Sequence, residues 1–383
     1  MIGLLVASCG SRSPTLPPLP EPVAEPDPGD VESVVFLYGD AGAVHDYNSP
    51  LLARLKHDIE RWSASLENDS SVVAIALGDA VYPEGVRPRD TEHYHADTAV
   101  AMSQARLVAG PDAREHGARA FFLAGNHDWG ELKGWPGVAR LRDLADLLEL
   151  AHTRDSLAVR LVPVPGTGGP YVIDLGRRLR ILMLDTAWWL LESSATTKQA
   201  VLGGIDAATA SAGDRHILIA AHHPFKSGGP HGGNFAFWQT AGARYLLSKS
   251  GAILQDLTSA PYRQLEHGLR AIFERLGTPL VFAGGHEHSL QVLEGTEPTD
   301  PASNLVSGAG SKLSDVGPEP GMRFARSSPG YMRLIFEKDG GVTLFVESAG
   351  REYLKCPGHE PERAQCMTNG FVAFQTWYSQ RLR

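Results

Sequence analysis

The stretch Val72-Val73-Ala74-Ile75-Ala76-Leu77-Gly78-Asp79-Ala80-Val81-Tyr82 decides the fold. Residues 72–77 are an unbroken apolar run that reads as a buried strand. Gly78 lets the backbone turn sharply at its end, and Asp79 follows at once. The same arrangement recurs along the chain. Residues 33–38 lead into Gly39-Asp40-Ala41-Gly42, and residues 120–124 into Gly125-Asn126-His127-Asp128. Residues 217–221 lead into His222-His223-Pro224, and residues 280–283 reach Gly285-His286-Glu287-His288. In α/β sheets ligands bind beyond the carboxyl ends of the strands, so polar residues released by five strands are expected to converge on one site.

Between these strands the periodicity turns helical. Leu51, Leu55, Ile59 and Trp62 recur at helix spacing, and helices are predicted over 91–108, 138–150 and 261–276. Hairpins are predicted across Gly176-Arg177-Arg178 and across Lys338-Asp339-Gly340-Gly341. The class is therefore α/β. With 43% apolar and 21% charged residues, the 383-residue chain can fill an ordinary globular core. The net charge is −9 and no run of Lys or Arg occurs, so no nucleic-acid partner is expected. No apolar run reaches the ~18 residues that a membrane-spanning helix requires.

The five post-strand segments offer carboxylates, an amide and imidazoles together. That mixture suits Fe, Mn or Zn better than Mg or Ca. Two such ions about 3.5–4 Å apart would clamp the oxygens of a phosphoryl displacement.

Taken in order, the five segments resemble the signature of calcineurin-like metallophosphoesterases and, within them, the purple acid phosphatases of tartrate-resistant type. Many members begin Asp-x-His; here Gly42 stands at the histidine position, as in the purple acid phosphatase pattern, and Tyr82 stands where that pattern places a tyrosine. The resemblance spans residues of about 33 to 348. It implies a four-layer α/β/β/α sandwich of two mixed β-sheets flanked by helices. It implies that Asp40, Tyr82 and His288 hold one metal, that Asn126, His222 and His286 hold a second, and that Asp79 bridges them. It points to His127 and His231 as substrate-facing histidines, with Asp128 as an orienting partner of His127. The implied cofactors are two metal ions, Fe(III) with Fe(II), Zn or Mn, because a ligating phenol must lose a proton whose ordinary pKa is about 10. His223 occupies a variable position and is expected to support the site rather than to ligate.

The implied activity is hydrolysis of small phosphomonoesters by a hydroxide generated at the two metals. A phosphodiesterase acting on nucleotides or lipid head groups is the alternative, and a surface lipoprotein that binds without turnover is a third reading.

Val6-Ala7-Ser8-Cys9 resembles the lipobox of bacterial lipoproteins, which implies residues 1–9 as a signal segment and a lipid anchor on Cys9. Residues 10–31 are expected to be a proline-rich linker. Seven prolines between Ser13 and Asp30 would keep those eighteen residues extended over roughly 55 Å. The catalytic domain is then 32–350, and 351–383 is an extension packed on it. An exported chain, at the outer membrane or cell surface and facing the periplasm or the medium, would let Cys356 and Cys366 pair; two free buried thiols are the other reading.

Overall fold

A computed structural model describes residues 16–66, 71–151, 159–233 and 253–383. Cys9 lies outside these residues. Two seven-stranded sheets face one another. The first has the order β14-β13-β12-β1-β2-β3-β4, the second β11-β9-β10-β8-β7-β6-β5. The strands of the first sheet are β1 (Val31–Tyr38), β2 (Ser71–Ala76), β3 (Arg119–Phe122), β4 (Val159–Leu161), β12 (Gly330–Glu337), β13 (Val342–Ser348) and β14 (Gln375–Arg381). Those of the second are β5 (Tyr171–Leu175), β6 (Leu179–Met183), β7 (His216–Ala220), β8 (Val281–Gly284), β9 (Leu290–Glu294), β10 (Ser303–Ser307) and β11 (Met322–Arg326). Both sheets are mixed. β1 to β4 run parallel while β12 pairs antiparallel with β1; β6, β7, β8 and β10 run parallel while β5 and β9 are antiparallel to their neighbours.

The two-residue period of a strand divides β1 between two cores. Val35 and Leu37 point inward and join Val73, Ile75 and Leu77 against Ile181, Met183, Leu218 and Ala283 of the facing sheet. Val34, Phe36 and Tyr38 point outward, under helix α1 (Pro50–Ser65) and its Leu51, Leu55, Ile59 and Trp62. The outer helices on that side are α2 (Tyr94–Ala105), α3 (Pro111–Glu115) and α4 (Gly137–Leu150). On the other side lie α5 (Thr186–Leu191), α6 (Ala195–Ala210) and α7 (Ala260–Leu276). The result is the four-layer α/β/β/α arrangement. No helix among the described residues is long and apolar enough to cross a membrane.

The carboxy-terminal residues are part of the first sheet. β14 is its edge strand, paired along β13, and α8 (Glu362–Ala373) packs near α1. Cys356 and Cys366 form a disulfide.

The proline-rich segment is fastened to the same edge. Residues 16–27 contain no helix or strand, yet the Val23 N–H donates to Ser379 Oγ at 2.8 Å. Glu25 accepts two bonds from Arg61 at 3.0 Å and another from Arg333. Arg333, 3% exposed, also donates to buried Glu347 at 3.2 Å and lies over the ring of Phe345. Removing a partner from a buried ion pair strands the opposite charge, at a cost of about 3–5 kcal/mol. Here Arg61 remains for Glu25 and Thr376 for Glu347, so Arg333→Ala is expected to lose about 3 kcal/mol of stability, the low end of that range. Urea melts measure this, and a loss below about 1 kcal/mol would contradict the pairing as a net stabiliser.

Candidate metal centre

Every proposed ligand sits at the end of a core strand or in the turn after it, and the backbone there is held in an unusual conformation. Asp40 after β1, Asp79 after β2 and His286 after β8 have φ of 60°, 55° and 66°. A non-glycine residue in the left-handed region costs of order 1–3 kcal/mol and persists where the surroundings overdetermine it, characteristically at functional sites. The surroundings here are the two neighbouring turns. The Gly42 N–H donates to Asp79 O at 3.1 Å, and the Tyr82 N–H donates back to Gly42 O at 3.0 Å. A Cβ on Gly42 would stand 2.6 Å from Asp79 O, so no histidine fits at that position without moving the chain. The same contact carries Tyr82 toward Asp40.

The side chains form two separate triads. In the first, Tyr82 OH donates to Asp40 Oδ1 at 3.0 Å, and His288 Nε2 lies 3.3 Å from the hydroxyl and 3.6 Å from the carboxylate. In the second, His222 Nε2 lies 2.9 Å from Asn126 Oδ1, and His286 Nδ1 lies 3.0 Å from that oxygen and 3.2 Å from that nitrogen. Asp79 stands between them, with Oδ1 3.5 Å from His222 Nε2. One donor atom each from Asp40, Asp79 and His222 falls within a 4.8 Å cluster.

The second triad can be tested for what it holds. His222 Nδ1 is 2.7 Å from Leu77 O, and His286 Nε2 is 2.9 Å from Gln255 O. Carbonyls only accept, so those nitrogens carry the protons. Asn126 Nδ2 donates to Gln255 Oε1 at 3.3 Å, which fixes its amide as well. Three lone pairs, from Asn126 Oδ1, His222 Nε2 and His286 Nδ1, therefore face one another at 2.9–3.2 Å in a buried site. Mutual repulsion forbids this unless a cation sits between them. Ligand atoms about 2.1 Å from one metal stand roughly 3.0–3.4 Å apart, so the observed spacing fits an ion.

The electrostatics point the same way. Burial, then the charge of Asp79, pushes the Asp40 carboxyl well up. Burial acts on Asp79 too, but the facing imidazoles of His222 and His127 and the His127 N–H outweigh it and hold that carboxyl low. Two buried carboxylates this close cannot both ionise without a cation. Burial pushes His222 and His286 below the ordinary imidazole range and His288 to about 3, leaving the neutral rings that ligation needs. Burial, with Asp40 and Asp79, pushes the Tyr82 phenol well up, and its hydroxyl donates to Asp40.

The two histidines expected to face substrate, His127 and His231, lie beside these triads. His127 turns Nδ1 to the Pro83 carbonyl, and its Nε2 stands 3.9 Å from Asp79 Oδ2. His231 Nδ1 is 2.7 Å from Asp256 Oδ1, and its ring lies 4.2 Å from that of His286. Asp128 is not the partner of His127. It is buried, and its carboxylate accepts the N–H groups of Gly125, Ala80 and Val81 at 2.9, 3.2 and 3.2 Å, tying the second and third post-strand turns together. Burial, reinforced by Asp79, raises it to about 8. His223 is buried with Nδ1 2.8 Å from Thr186 Oγ1, and its ring packs 4.3 Å from His286.

Sequence reading missed Gln255 and Asp256. They fix His286, Asn126 and His231, but they lie outside the post-strand turns, just before the Ser259 cap of α7, and no local pattern marks them.

No protein-family model matches the chain, and no curated protein matches it in sequence. Solved structures do match in shape. One is GAP50, described as the anchor in the inner membrane complex of Plasmodium, at TM-score 0.54 and 11% identity over 92% of this chain and 89% of that one. Another is the purple acid phosphatase PPD1 from seeds of yellow lupin (Lupinus luteus), at TM-score 0.54 and 14% identity. That match covers 91% of this chain but 53% of the lupin chain, so this protein spans about half its length. At such identities the likeness is one of fold: the chain has a purple acid phosphatase-like metallophosphoesterase fold.

Proposed function

We propose that this protein is a phosphatase that hydrolyses small phosphomonoesters at a two-metal centre. The observation that carries the reading is the set of inward-facing donor atoms in the Asn126–His222–His286 triad, beside the Asp40–Tyr82–His288 triad and linked to it by Asp79. The first triad with the phenol suits Fe(III); the second suits Fe(II), Zn or Mn. When bound, the two ions would supply Lewis-acid stabilisation of the phosphoryl oxygens and a low-pKa water.

The chain's own residues do the rest. With Nδ1 donating to the Pro83 carbonyl, His127 presents Nε2, which as part of an imidazolium would carry the proton for the departing alkoxide. Asp256 fixes the His231 ring, which lies 4.2 Å from that of the ligand His286. Gln255 holds both His286 and Asn126 in register, the outer-shell role that keeps ligands oriented.

The lipid-anchored, exported setting belongs to the same proposal. The Cys356–Cys366 disulfide supports it, because such bonds persist in oxidising compartments. The likeness to an anchor protein favours a second reading, a binding module without turnover. Initial rates on an aryl phosphomonoester and an aryl phosphodiester, with His286→Ala as control, separate the readings. Metal-dependent monoester hydrolysis that the control abolishes is expected. Preference for the diester would replace the substrate class, and no turnover by a metal-loaded chain would favour the binding module.

A further inference from the structure

We propose that Lys312 is a substrate-binding residue of this centre, whose ammonium holds the phosphoryl group beside Tyr82 and favours doubly charged monoesters over singly charged diesters. The inference rests on the phosphatase reading and deepens it.

Lys312 follows β10 on a loop fastened to the ligand-bearing turns. The Gly310 N–H donates to Gly39 O at 3.1 Å, and the Ser314 N–H donates to His288 O at 2.8 Å. Ser311 Oγ donates to Asp40 O at 2.5 Å and accepts from the Ala43 N–H at 3.2 Å. The backbone on both sides of Lys312 is therefore placed by the residues that carry Asp40 and His288. Its Nζ reaches 3.3 Å from the centre of the Tyr82 ring. The His127 ring meets Tyr82 edge-on at 4.5 Å, so Lys312, Tyr82 and His127 form one continuous wall of the site.

The ammonium lies in the field of Asp79, Asp40 and Glu131. Among the described residues it makes no hydrogen bond or ion pair, only the contact with the ring. A half-buried ammonium without an anionic partner is costly, and a phosphate oxygen would complete it. Lysine suits this as a compact point charge with three donors. Coulomb attraction scales with the partner's charge, so a dianionic monoester gains more than a monoanionic diester.

The test uses the full chain and two variants, Lys312→Met and Lys312→Arg, after metal content has been measured for each. Inorganic phosphate is titrated by calorimetry, and KM and kcat are measured for an aryl monoester and an aryl diester at low salt. Lys312→Met is expected to weaken phosphate binding and raise the monoester KM about tenfold, the effect of losing one charge-assisted contact. The change falls on KM more than on kcat, the diester KM moves less, and Lys312→Arg recovers part of the loss. Unchanged phosphate affinity and monoester KM would overturn the proposal. So would loss of metal from Lys312→Met, which would make the residue a support of the centre. A metal-loaded wild-type protein that hydrolyses neither ester would remove the phosphatase reading, and the phosphate titrations would still decide Lys312.

Discussion

Asp79→Ala is expected to empty the centre while leaving the fold intact. The carboxylate stands between the two triads and is the group that both share, 3.5 Å from His222 on one side and close to Asp40 on the other. Without it each triad keeps three donors but loses the anion that offsets the charge of two cations. Metal content by elemental analysis should fall from about two ions per chain toward zero, and kcat should drop about 10³-fold or more, since metal assistance is worth several kcal/mol. Stability measured after chelation should fall by about 1–2 kcal/mol, because the His127 N–H loses its acceptor. The substitution places alanine at φ 55°, which costs about 1 kcal/mol. It also removes one of two buried carboxyl groups in close approach, which offsets that cost. Full metal occupancy in the variant would contradict the bridging role. A chain that fails to fold would be checked with Asp79→Asn, which tolerates the left-handed backbone and removes only the charge.

His127→Ala should give the opposite pattern: metal content retained and turnover lowered about 10²–10⁴-fold, the usual contribution of a positioned general acid. The two effects separate because His127 serves Asp79 through its backbone. Its N–H donates to Asp79 Oδ1 at 3.0 Å, and that bond survives the substitution. The imidazole itself reaches Asp79 only at 3.9 Å. The loss should be greater for alkyl phosphates than for nitrophenyl phosphate, whose leaving group needs no proton. If the metals leave with the side chain, His127 is part of the centre's support and not its acid.

The strands that end in the site were the legible part of the chain. Residues 72–77, predicted as a strand, lie in β2 and the turn that follows it, and the five post-strand segments meet in space, because unbroken apolar runs followed by glycine state both the element and its end. Helices α1 and α4 were legible from apolar spacing, and α7 from the proline near its first turn. What lay outside the reading was held by long-range pairing. β10 and β11 lie within 296–329 and β14 within the last residues, where short strands with mixed composition exist only because β8, β9 and β13 offer them an edge. The tail, expected as an extension, is thereby part of the sheet. Asp128 was misread because adjacency to His127 suggests a partner, whereas in the third turn its carboxylate faces three backbone N–H groups instead. Asp256 and Gln255 were invisible for a related reason: their partners are 25 or more positions away.

The central claim is that these ligands hold a catalytic metal pair. The most direct measurement is metal content and aryl phosphomonoester hydrolysis on one sample of wild-type protein, before chelation, after it, and after adding iron, zinc or manganese back. The account predicts about two ions per chain, loss of hydrolysis with their removal and its return on reloading. Hydrolysis that survives complete removal of metal, or a chain that binds none, would contradict it.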